Sequence, residues 1–283
     1  MQRTVTAQLS ATVRTTAEVA LSVVVSADAE TTDEHLSVTV DGVPVEVEEV
    51  AGNSGARWHL LREVPVGRFA VDYWATVTSG GSAQELSGGE RISYLRPSRY
   101  ADVDRMESMA RALFGSLASA DTTASGSDDA DGQAADVTTL HAIADYVKQN
   151  TAYIVGSSRV TDGASETYLA RKGVCRDFAH LTIALLRARG IPARLVSAYA
   201  PGLSPMDFHA VVEAHVAGAW YVVDPTRLAP RQSLVRIATG TDAAETAFLT
   251  THSGDLRFGT LSVSAVVDGG LPSDDHAQLV QLT

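Results

Sequence analysis

The sequence predicts an α+β chain, with an antiparallel β-sandwich at the N-terminus and a helical segment that leads into an antiparallel hairpin. Three observations predict it. Val- and Thr-rich runs with partial alternation fill about the first 95 residues, apolar residues recur at helical spacing from Ala101 onward, and two apolar runs flank Ala217-Gly218.

The N-terminal runs are Arg3 to Val13, Glu18 to Ser26, His35 to Val40, Val43 to Val50, Arg57 to Val64 and Arg68 to Thr78. Asp41-Gly42 between two of them is the two-residue signal for a type I′ hairpin. Short strands at close spacing without helical period suggest a sandwich. None of these residues suggests chemistry.

Met106, Met109, Ala110, Leu113 and Leu117 repeat at three and four, as on a helix facing a core. Residues 118–136 are Ala, Ser, Thr, Gly and Asp apart from Gln133, with no aromatic and no basic residue, too little apolar surface to offset ordering entropy, so a flexible acidic loop is expected. Ser127, Asp129, Asp131 and Gly132 mimic the start of a calcium loop, but Thr138 stands where the bidentate Glu belongs, which argues against calcium and for a solvated linker. A second helix is expected from Val137 to Asn150, capped by Asp136, with Leu140, Ile143, Ala144 and Val147 inward.

Gly173-Val174-Cys175-Arg176-Asp177-Phe178 then opens a long helix that stops at Gly190-Ile191-Pro192. A free cysteine is most often a small apolar core residue. Cys175, however, falls in the first turn after a glycine, where unpaired N–H groups and the positive end of the dipole favour an anion, which suits a thiol nucleophile. Asp177 also suits that end of the dipole, and Arg176 is placed to touch either substrate or Asp177. His180 lies about 140° round the helix from Cys175, and a core hydrogen-bonding role is expected for it.

A nucleophile of this kind needs a base and an orienting group. With Ala217-Gly218 as a two-residue turn, Val216 pairs with Ala219 and Asp224 falls opposite Val211. His209 is then one diagonal away on the same face, roughly 7 to 8 Å between Cα atoms. His215 lies beside the turn opposite Trp220 and reads as a packing histidine. A one-residue slip would reverse every face, so the pairing of His209 with Asp224 depends on this register.

The segments GVCRDFAHLTIALLRARGIPAR, DFHAVVEAHVAGAWYVVDPTR and VRIATGTDAAETAF resemble the core of bacterial transglutaminase-like proteins, within the papain-like superfamily. YLRPSRYADVD and the β-rich region before it resemble the domain that accompanies this core. The resemblance implies a papain-like or transglutaminase-like domain, its nucleophile at a helix N-terminus packed on an antiparallel sheet, and a triad of Cys175, His209 and Asp224. The implied division is a β-sandwich at 1–95, a catalytic domain at 96–265 and a C-terminal tail at 266–283. The expected activity is a cysteine-dependent hydrolase or acyltransferase on peptide or protein amide bonds, tilted by the resemblance toward a protease or amidase. The alternative is a non-catalytic peptide-binding or assembly module of the same fold. The Cys175 N–H is the first expected oxyanion donor, and Tyr168 is a candidate for the second, with packing as its alternative role.

Composition narrows the rest. A single Cys cannot form an intramolecular disulfide or a CxxC zinc site. A net charge of −12 argues against a nucleic-acid or anionic-membrane partner. From Val137 to Asp255, however, there are 11 basic and 10 acidic residues, so the acidity does not point to a basic substrate. No P-loop, GxSxG or HExxH motif is present, and no cofactor or metal is expected. No signal peptide is legible and no apolar run reaches the ~18 residues of a membrane helix, so a cytoplasmic protein is expected.

Overall fold

The computed structural model describes residues 1–79, 84–115 and 130–282. The N-terminal strands are β1 (Arg3–Leu21), β2 (Glu30–Val40), β3 (Val43–Pro44), β4 (Glu48–Ala51), β5 (Arg57–Val64) and β6 (Gly67–Ser79). Then come α1 (Gly88–Ser93), α2 (Val103–Phe114), α3 (Ala130–Asn150), β7 (Ala152–Tyr153), α4 (Ala164–Ala170), β8 (Lys172–Gly173) and α5 (Cys175–Ala188). The chain continues through β9 (Ala193–Tyr199), β10 (Phe208–Val216), β11 (Ala219–Val223), β12 (Val235–Gly240), α6 (Ala243–Thr246) and β13 (Leu249–Val267). The architecture is α+β: an antiparallel accessory sheet ordered β3-β2-β6-β1-β5-β4, and a four-stranded sheet ordered β11-β10-β9-β12 that carries the helices.

Two of the expected short strands are one. Val5, Ala7, Leu9, Ala11 and Val13 of β1 are buried at period two, and after the polar Arg14-Thr15-Thr16 the alternation resumes at Ala17, Val19 and Leu21. Register irregularities between Val13 and Glu18 let the strand bend without breaking. Its first half pairs with β6 and its second half with β5, so a single hydrogen-bonded path folds over the shared core. Conversely, Val43 to Val50 divides into β3 and β4. Asp41 and Gly42 both take positive φ, the type I′ turn expected there.

The other edge of β1 is paired by β13, whose partners run from Arg3↔Val267 to Leu21↔Leu249. Residues 249–265, expected at the end of the catalytic portion, therefore complete the accessory sheet. Alternation in β13 is weak because most of its side chains are exposed, so no inward stripe announces the strand. The following residues return to the smaller sheet, where Val280 O accepts from Val222 N at 2.8 Å and Asp274 forms a buried pair with Arg231.

Among the helices, α3 starts at Ala130, so Asp136 lies inside it rather than at its cap. Residues 130–136 of the expected loop are thus helical, whereas 118–129, with Ser127 and Asp129 of the calcium-like run, lie outside the described residues. Leu140, Ile143, Ala144 and Val147 are buried, as their spacing predicts. In α2 the buried row is Val103, Met106, Ala110 and Phe114, while Leu113 is exposed and Leu117 lies outside the described residues. Phe178, Leu181 and Leu185 of α5 join Leu195, Val212 and Ala214 of the sheet in one core. Among the described residues, no helix is long and apolar enough to cross a membrane.

Candidate active site

Val174 is the N-cap of α5, so Cys175 is its first residue, half-buried with its backbone N–H at the end of the helix that lacks intrahelical acceptors. Asp177 locks this end. Its carboxylate accepts from Val174 N at 2.8 Å and from Ser158 Oγ at 2.9 Å, so it is committed to holding the turn. Gly173 is needed beside it, because a Cβ there would lie 2.6 Å from the Asp177 Cβ. Arg176 is anchored by Ser158 Oγ at 2.7 Å and the Arg159 carbonyl at 2.5 Å.

The hairpin takes the register on which the pairing of His209 with Asp224 depends. Val216 pairs with Ala219 and Val212 with Val223, across a turn in which Ala217 and Gly218 both have positive φ. His209 Nε2 lies 2.9 Å from Asp224 Oδ2, both side chains fully buried. The other Asp224 oxygen accepts from Thr226 N at 2.9 Å and Thr226 Oγ1 at 2.7 Å, which fixes the carboxylate plane. Burial would push His209 down, but the charge and hydrogen bond of Asp224, joined by those of Cys175, outweigh it and raise the imidazole to about 10. Burial likewise pushes Asp224 up, and the His209 charge with the His209 and Thr226 hydrogen bonds holds it below the usual carboxylate range. With Nε2 on Asp224, Nδ1 is the ring nitrogen that remains, and Cys175 and His209 line one cleft.

The remaining candidates fall elsewhere. His215 stacks edge-on against Trp220 with centroids 5.3 Å apart, as its register predicts. His180 is buried against Tyr100, accepts from Ala243 N at 3.2 Å, and is pushed by burial down to about 3, a neutral core residue. Tyr168 packs with the helical core, hydrogen-bonded to Tyr146, in keeping with its alternative packing role. Tyr153, by contrast, lies beside Cys175. The parallel ladder of β7 and β8 sets Tyr153 opposite Gly173, and Ile154 N donates to Gly173 O at 3.0 Å. The Tyr153 hydroxyl consequently faces the Cys175 backbone N–H, and burial together with Cys175 pushes it up to about 12, so it stays protonated. A two-residue parallel ladder leaves no periodic trace, so sequence pattern could not single this tyrosine out. Among the described residues, no group of three or more His, Cys, Asp or Glu is placed to hold a metal ion.

Residues 123–225, which span α5 and the hairpin through Asp224, match the model of the transglutaminase-like superfamily. A crystallised candidate cysteine protease from Cytophaga hutchinsonii is 33% identical, with a TM-score of 0.82 over 99% of this chain and 96% of that one. The chain belongs to the transglutaminase-like superfamily. An uncharacterized protein of Mycobacterium tuberculosis is 37% identical over 84 residues, 30% of this chain and 27% of that protein. A second, from Mycobacterium leprae, is 31% identical over 118 residues, 38% of this chain and 41% of that protein. The match thus spans less than half the length of these mycobacterial relatives. The superfamily assignment and the likeness to a cysteine-protease candidate support a cysteine-enzyme type of fold for the whole chain.

Proposed function

We propose that this protein is a cysteine hydrolase of amide bonds, with Cys175 as nucleophile, His209 as the proton carrier and Asp224 as its orienting partner. The observation that carries this is the buried 2.9 Å contact between His209 Nε2 and Asp224 Oδ2, which leaves Nδ1 for the thiol. An Asp in that position fixes the ring tautomer and stabilises the imidazolium.

The Cys175 thiolate attacks the substrate carbonyl carbon, and the carbonyl electron pair moves to oxygen. The Cys175 N–H and the Tyr153 hydroxyl donate to that oxyanion. When the C–N bond breaks, His209 gives its proton to the leaving amine and an acyl thioester remains. A water molecule, deprotonated by His209, attacks the thioester; the thiolate leaves and the carboxylic acid departs, restoring the starting pair. An amine in place of water would give transamidation by the same steps.

The test is a fluorogenic peptide library assayed with the wild type and Cys175→Ala. Hydrolysis by the wild type that is abolished in Cys175→Ala supports the proposal. A chain that binds peptides from the library but turns none over would instead be a binding module.

A further inference from the structure

A cleft of about 320 Å³ opens from Cys175 and His209, and one side of it is not built by the catalytic portion. Phe208 and Ala210 of β10 and Leu195 of β9 line it from the smaller sheet, whereas Phe248, Leu249 and Ser22 line it from the accessory sheet. Leu249 is the first residue of β13 and pairs with Leu21 at the end of β1, and Ser22 N donates to Phe248 O at 3.0 Å. The end of the long ribbon is therefore sewn against the cleft.

The wall is firmly backed. Ring centroids step from Tyr73 of the accessory core to Tyr199 (6.2 Å), to Phe208 (5.3 Å) and to Phe248 (5.5 Å). The Tyr199 hydroxyl donates to Val23 O at 2.7 Å, and Arg194 of β9 reaches Gln84 Oε1 at 2.7 Å and Ser54 Oγ at 3.3 Å. Apolar side chains with this support form a preformed surface rather than a yielding one. A volume near the lower end of the range for small-molecule sites suits one or two side chains, not a larger ligand.

We propose that the accessory sheet supplies the specificity pocket of the enzyme: Phe248 and Leu249, with Phe208, receive a large apolar side chain, of Leu or Phe size, on the acyl side of the scissile amide. This rests on the cysteine-hydrolase assignment and adds the substrate class to it. The proposal assigns the acyl side because the acyl group stays joined to Cys175 through both steps, so a pocket beside Cys175 can hold it throughout, while the amine leaves after the first. Asp207 and Arg176 both line the cleft, Asp207 accepting from Phe208 N at 2.7 Å and Arg176 held by Ser158 and the Arg159 carbonyl, so the preference rests on the apolar side chains, which disfavour burying a charged acidic residue.

The experiment uses the full chain and peptides varied to Leu, Phe, Gly or Asp at the two residues on each side of the scissile bond. It is run alongside peptidyl chloromethyl ketones with the same acyl-side residues, read as Cys175 labelling by intact mass. Expected for the wild type is a kcat/KM and a labelling rate about ten- to a hundredfold higher for Leu or Phe than for Gly, and lowest for Asp. In Phe248→Ala and, as a second variant, Leu249→Ala, each confirmed folded by thermal unfolding, the Leu-to-Gly ratio falls to within about threefold. Turnover or labelling as fast with Gly as with Leu, a preference confined to the amine side, or an unchanged ratio in both variants would overturn the pocket. No labelling and no turnover with any peptide would overturn the hydrolase assignment itself, and the pocket with it.

Discussion

His209 reaches Asp224 across one diagonal of a hairpin, with Nε2 2.9 Å from Oδ2 and both side chains out of contact with solvent. Asp224→Asn keeps the shape but offers an amide where the ring nitrogen needs an acceptor. It should lower kcat by about 10³- to 10⁴-fold through the wrong tautomer. Steady-state kinetics on a hydrolysed peptide, with circular dichroism confirming the fold, checks this; a loss under tenfold would separate Asp224 from the chemistry.

In the proposed mechanism Tyr153 donates to the oxyanion, which forms in acyl transfer but not in simple alkylation. Tyr153→Phe should therefore reduce kcat by about 10- to 10³-fold and leave the rate of Cys175 alkylation by iodoacetamide within twofold. Equal loss in both assays would mean that the ring merely supports the nucleophile's loop.

The proton on His209 should shape the alkaline side of the pH profile. Asp224 and Cys175 raise the imidazole to about 10, so its charged form is present at neutral pH and is lost as pH rises through that value. Amide hydrolysis, which needs this proton for the leaving amine, should decline only near pH 10. In Asp224→Asn the decline should move to lower pH, and an unmoved limb would argue against the pairing.

The hairpin register was legible because Ala217-Gly218, with both residues at positive φ, makes a two-residue turn that fixes Val216 opposite Ala219. Cys175 was legible from Gly173 and the stop signal at Gly190, which bracket α5. Tyr153 was hidden because two residues of parallel ladder have no pattern. The closure of the accessory sheet by β13 was hidden for a different reason: pairing across nearly the whole chain length is set by partners, and its exposed side chains carry no stripe. The start of α3 was misplaced because small and acidic residues read equally as loop or as solvated helix.

Glu213 is buried between Arg194 and Arg236, with contacts of 2.7 and 2.6 Å. Burial pushes its carboxyl up, but the charges of Arg236 and Arg194 outweigh this and hold it at about 2 against an ordinary 4.5. A depressed carboxyl contributes stability that is complete above pH 4.5 and drains as pH falls toward 2. Glu213→Gln leaves two buried guanidinium groups without a counter-charge and should cost about 3–5 kcal/mol at neutral pH, with a weaker dependence on pH below 4.5. Urea unfolding from pH 7 to 3 measures both, and a cost under about 1 kcal/mol would show that the cluster is dispensable.

The most direct test is the rate at which iodoacetamide alkylates Cys175 at pH 7 in the wild type and in His209→Ala. If His209 sustains the thiolate, the wild type should react at least about tenfold faster than a free cysteine and His209→Ala should fall toward the free rate. A wild-type rate no faster than free cysteine, or one unchanged by His209→Ala, would contradict the assignment of Cys175 and His209 as a working pair.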